Sequence, residues 1–117
     1  MLFYGMRHTN ILDDMLMHAK KGKDDGYRQT AYISLGNSYF GLEKYQDALD
    51  AYRSALNYKS IKEDSDTVQF MIGDCLMRLN KKEDAKRIFA KLADGSTGLI
   101  KQISEERMKD IALGMKM

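Results

Sequence analysis

The sequence predicts an all-α fold of antiparallel helical hairpins stacked as a solenoid. Three observations carry that prediction. First, a set of anchors returns at a fixed interval: Leu35, Gly36, Tyr39, Ala48 and Tyr52 are followed, each 37 residues later, by Ile72, Gly73, Leu76, Ala85 and Phe89. Second, the residues between the anchors recur as well, Leu42, Lys44 and Asp47 as Leu79, Lys81 and Asp84. Third, the apolar residues around them fall at helical spacing. A repeat of this length marks supersecondary units that bury their faces on one another.

The first segment, residues 2–21, carries Leu2, Phe3, Met6, Ile11, Leu12, Met15, Leu16 and Ala19 mostly at helical spacing. Lys20 and Lys21 suit its C-terminus and Gly22 a stop. Residues 23–26 form a polar turn. A first hairpin follows, with helix A at 27–41 and helix B at 45–58. The second has helix A at 65–79 and helix B at 82–93. Gly41-Leu42-Glu43 and Arg78-Leu79-Asn80-Lys81 fall where a short turn joins A to B. Residues 94–98 break the pattern, and Leu99, Ile100, Ile103, Met108, Ile111, Ala112 and Met115 mark a last helix. Lys101, Glu105, Glu106, Lys109 and Asp110 give it the polar outer face that a capping element needs. The expected organisation is one domain over 1–117: an N-terminal helix and turn at 1–26, repeats at 27–60 and 61–97, and a capping helix at 98–117.

Gly36 and Gly73 sit inside helices, where glycine costs about 1 kcal/mol. Matched glycines therefore point to close backbone approach where A crosses B. Ala48 and Ala85 are the small partners on helix B, and Tyr39, Tyr52 and Phe89 supply bulk around them.

Tyr32-x-x-Leu35-Gly36-x-x-Tyr39 followed by Ala48-x-x-x-Tyr52 resembles the tetratricopeptide repeat, with Tyr32 in place of the leading Trp. The second copy keeps Gly73, Ala85 and Phe89 but has Gln69 for the leading aromatic and Leu76 for the Tyr. Neither copy has the closing Pro, because the chain contains none. The resemblance covers residues 29–97, and the long interval places extra residues near 58–66. Glu106 to Asp110 is similar to the end of many bacterial members, including cell-envelope ones, and implies a native C-terminus. The family implies about six helices in a right-handed superhelix.

The resemblance also implies a binding surface. A helices of the family line a concave groove, which transfers to Thr30, Ile33, Asn37 and Phe40 in the first repeat and to Thr67, Phe70, Asp74, Met77 and Arg78 in the second. Ile33, Phe40, Phe70 and Met77 are the expected apolar anchors; Asn37, Asp74 and Arg78 are the polar guides. Ile33 and Thr67 stand where carboxylate-clamping members carry Lys, which argues against that mode. The expected function is a non-enzymatic scaffold that binds a peptide or protein partner. The alternatives are a cell-envelope or periplasmic assembly module belonging to a longer chain and, from another class, a helical-repeat RNA binder.

Composition narrows these choices. A net charge of +2 is too weak to imply nucleic acid, and no run of apolar residues is long enough to span a membrane. No signal peptide is visible at the N-terminus. The single Cys75 forms no internal disulfide and favours a reducing, cytoplasmic setting over a periplasmic one. Nine Met residues read as adaptable packing. No catalytic, metal or cofactor site is expected. His8 and His18 lie too far apart for one metal. Cys75 has no nearby base and reads as a buried thiol. Asp13-Asp14 and Asp24-Asp25 lack the loop of a calcium site. The apolar face of Phe3, Met6, Ile11 and Met15 is expected to fold back on Tyr32 and Tyr39 or to pair with a second copy of the chain.

Overall fold

A computed structural model describes residues 15–17, 25–58 and 62–114. It contains five helices among the described residues: α1 (Asp25–Gly41), α2 (Tyr45–Ala55), α3 (Lys62–Arg78), α4 (Lys82–Gly95) and α5 (Gly98–Ala112). Residues 15–17 are helical as well; the remainder of the expected N-terminal helix lies outside the described residues. The fold is an all-α helical repeat. The chain divides into two compact units, Met1–Ser60 and Ile61–Met117. In the first, α1 packs on α2; in the second, α4 packs on both α3 and α5.

The glycines explain how tightly each hairpin closes. A Cβ placed on Gly36 would lie 2.6 Å from a ring carbon of Tyr52, and one on Gly73 would lie 2.7 Å from the ring of Phe89. The ring of helix B therefore rests directly on the backbone of helix A. Tyr52, Phe89, Ala48 and Ala85 are fully buried. The alanines let the helix B backbone approach while the ring beyond them fills the seam.

The turns are built alike. Gly41 still belongs to the helix, and the left-handed residues are Glu43 and Asn80, each at φ 61°. In the first turn the Glu43 amide donates to the Phe40 carbonyl and Lys44 to that of Tyr39; in the second, Asn80 donates to Met77 and Lys81 to Leu76. Both are the paired closure that satisfies the last carbonyls of a helix. Lys44 and Lys81 then start helix B with no side-chain cap.

The extra residues of the long interval lie in helix A itself. α3 starts at Lys62 rather than 65. Its first turn is held by Lys62, whose Nζ donates to Asp66 Oδ2 and to the Gly95 carbonyl, both at 2.7 Å. Helix B of the second unit also outlasts expectation. The break comes at Ser96 and Thr97, where Ser96 is buried with its hydroxyl bonded to the Leu92 carbonyl. Gly98 then takes a left-handed φ of 63° as α5 begins.

Replacing Gly36 or Gly73 with Leu is expected to cost more than about 2 kcal/mol, and Ala48→Leu likewise, because no side chain at the crossing can yield. Pairing Gly73→Ala with Phe89→Leu should recover part of the single-mutant loss. Thermal melts check this, and melts indistinguishable from wild type would refute the crossing. Glutamate is poorly suited to a left-handed backbone, whereas asparagine tolerates it. Glu43→Gly should therefore stabilise by about 0.5–1 kcal/mol and Asn80→Gly by much less, as read by denaturant titration.

Candidate functional site

Within the first unit, Thr30, Ile33, Asn37 and Phe40 fall along one side of α1. Thr30 and Asn37 are exposed, and Ile33 and Phe40 are half-buried. Asn37 is held from behind: its Oδ1 accepts a hydrogen bond from the Tyr52 hydroxyl. The ring that seals the hairpin thus also fixes a surface amide. Phe40 meets Tyr45 edge-on, with centroids 5.1 Å apart and the planes at 74°. It spans the two helices at the turn while keeping part of its ring in solvent.

Elsewhere in this unit Tyr32 stacks on Tyr58, with centroids 5.8 Å apart and planes 13° from parallel, and the Arg28 guanidinium lies 5.8 Å from the centre of the Tyr58 ring. Burial raises the Tyr32 hydroxyl pKa above its ordinary value, and the neighbouring Tyr58 adds to the rise. Leu16 shares a hollow of about 160 Å³ with Tyr32, Leu35 and Tyr39. The Ser38 hydroxyl lies 4.0 Å from the Met15 sulfur, so residues 15–17 rest on α1.

The second unit corrects the expected groove. Phe70, Asp74 and Met77 are each only 7% exposed, so the open wall assigned to them is not present in that form. Phe70 lies 5.4 Å from Phe89 between ring centroids, inside the α3–α4 seam. From the other side α5 covers it: the Arg107 guanidinium lies 5.3 Å from the Phe70 ring centre. Arg107 Nε also donates to Asp74 Oδ1 at 3.0 Å. Thr67 and Arg78 remain exposed.

Sequence reading missed Arg107, yet the signal was available. Asp74 stands 37 residues after Asn37, and Phe89 stands 37 after Tyr52. The second repeat therefore loses the hydroxyl that satisfies the first, and its polar residue needs another donor. α5 supplies one. The carboxyl pKa of Asp74 is nonetheless raised: burial outweighs the hydrogen bond and charge of Arg107 and the more distant charge of Arg78. Cys75, next to it, is fully buried, and burial followed by the Asp74 charge pushes its thiol up to about 12. A thiol in that setting is a packing group, not a nucleophile.

Because burial outweighs charge pairing at Asp74, the two partners of this ion pair should behave unequally. Asp74→Asn removes the buried charge and is expected to be close to neutral, whereas Arg107→Leu strands a buried carboxylate and should cost about 3 kcal/mol. The sign of the pH dependence follows. With the folded pKa raised, Asp74 favours folding most below its unfolded value, and that contribution is lost as pH rises through the folded value. Melts of wild type and Asp74→Asn across the acidic range should therefore converge as pH falls. Equal losses for the two substitutions would refute this account.

Among the described residues no helix is long and apolar enough to cross a membrane. Comparison with known proteins returned two family models, both described as tetratricopeptide repeat, one matching residues 29–61 and the other residues 67–94. Together they span more than half of the 117 residues. No curated protein and no solved structure matched the chain. Tetratricopeptide repeats are generally protein–protein interaction modules. The matched spans coincide with the α1–α2 and α3–α4 hairpins, each closed by a helix B ring on a helix A glycine, and the chain belongs to the tetratricopeptide repeat family.

Proposed function

We propose that the chain is a non-enzymatic scaffold that binds a peptide or protein partner along the outward face of its A helices. The observation that carries this reading is the row Thr30, Ile33, Asn37 and Phe40. Ile33 and Phe40 keep apolar surface in solvent while Asn37 is oriented by Tyr52. A preoriented amide between two apolar side chains suits recognition of an extended or helical segment. In the second unit, Arg78 and Thr67 are the exposed positions of the corresponding face. Phe70 and Asp74 support it from beneath, and Met77 is buried as well. Recognition by the second unit is therefore polar where the first is apolar. The net charge of +2 favours this reading over an RNA-binding one. The burial of Cys75 supports a non-enzymatic role.

The test pairs stability with capture. Thr30→Glu should change folding stability by less than about 0.5 kcal/mol, as surface substitutions do, and Ile33→Ser, at a half-buried position, by about 1 kcal/mol. The same variants should reduce partner capture or change its selectivity. Phe70→Ala should instead destabilise by about 3 kcal/mol, as loss of a core aromatic does. Partner capture unchanged by Ile33→Ser and by a Thr30→Glu variant, with both folded, would move the functional surface elsewhere.

A further inference from the structure

The two repeats fill the base of their hairpins differently. In the first unit the seam is occupied by the Tyr32–Tyr58 stack, with Arg28 over the Tyr58 ring. The residues 37 positions later are Gln69 and Gly95, so both rings are lost. The backbone also departs from the first repeat here, since α4 runs on to Gly95 whereas α2 stops at Ala55. A cavity of about 350 Å³ lies at this place, with Gln69 and Gly95 in its lining. A Cβ on Gly95 would meet nothing within 4 Å, so the space beside it is open.

The lining has a definite chemistry. Ile88 and Leu92 give it an apolar floor, and Lys62, Arg87 and Lys91 surround it with Asp66 as the single carboxylate. Lys62 is committed to Asp66 and to the Gly95 carbonyl. Arg87 pairs with Asp84 at 3.2 Å, largely in solvent, a contact that contributes little and exchanges readily. Lys91 is exposed on the same helix face one turn on. The pocket thus combines an apolar slot, sized for a ring, with two cations at its mouth.

We propose that this cavity between α3 and α4 is a docking pocket for an aromatic side chain flanked by carboxylates on a protein partner. The ring occupies the space that tyrosines fill in the sister repeat. Arg87 and Lys91 lie over or beside it, as Arg28 lies over Tyr58, and pair with the flanking acids. A protein segment is favoured over a nucleic acid because the cationic rim is local. The chain as a whole carries only +2, too little to hold a phosphate backbone along its length. The inference takes the class of partner from the protein-interaction reading, but its site is separate from the α1 face.

The test uses fluorescence anisotropy with the labelled peptide Glu-Glu-Tyr-Glu-Glu, the same peptide with Ala for Tyr, and a uridine decamer. Wild-type protein should bind the tyrosine peptide about tenfold more tightly than the alanine peptide or the decamer. The pair Arg87→Glu and Lys91→Glu, both on the exposed rim, should weaken it about tenfold with no loss of fold. The filled variant, Gln69→Tyr with Gly95→Tyr, should lose binding and melt no lower than wild type. In wild type the Gly95 amide resonance should shift on titration, while Ile33→Ser should bind the peptide as wild type does. Undetectable binding at millimolar peptide, equal binding of the alanine peptide, tighter binding of the decamer, or indifference to charge reversal would each overturn the proposal. So would a folded filled variant that still binds.

Discussion

An aromatic ring laid on a glycine holds each hairpin closed, and most other features follow from it. Tyr52 on Gly36 and Phe89 on Gly73 bring helix B against the bare backbone of helix A, closer than any side chain would permit. That approach sets which residues of each A helix are interior. It buries Leu35 and Leu76 and the whole stretch Ile72 to Met77. It also sets where the turn must lie, and both turns answer with a left-handed residue at the same position and the same pair of carbonyl closures. Continuous burial over Ile72 to Met77 means that α3 is packed on more than one side. That is why Cys75 is inert and why Asp74 holds its charge at a cost.

From this shared base the repeats diverge by small changes that have large consequences for the surface. Tyr52 carries a hydroxyl that reaches Asn37; Phe89 does not, and Asp74 turns to Arg107. The presence or absence of that hydroxyl thus goes with a different donor for the polar residue of helix A. In the first unit the amide stays outside, held but accessible. In the second, α5 settles over Phe70 and the carboxylate is buried with it. The loss of Tyr32 and Tyr58 equivalents at Gln69 and Gly95 is a second divergence of the same kind. It leaves a charged hollow in one repeat where the other holds a stacked pair of rings. Between units that share a backbone plan, the surfaces differ because the fillings differ.

The helical hairpins, their interval and the glycine crossings were all legible in the amino-acid sequence. They follow from local periodicity and from steric demands that recur at matched positions, so Gly36, Gly73, Ala48, Ala85, Tyr52 and Phe89 could be read in one pass. The burial of Cys75 was legible for the same reason. Packing, and not spacing, settled which outward-looking residues stay outward. Phe70 and Met77 have the spacing of groove residues, but spacing within one helix says nothing of a helix that returns over it. Arg107 is 33 residues from Asp74 in the chain, and their meeting depends on how α5 leaves the Ser96–Thr97 break. The left-handed residue at Glu43, where no glycine stands, was likewise set by the closure of the hairpin. Local sequence chooses the elements through backbone and side-chain sterics. The final surface depends on contacts between residues far apart in the chain, and only packing brings them together.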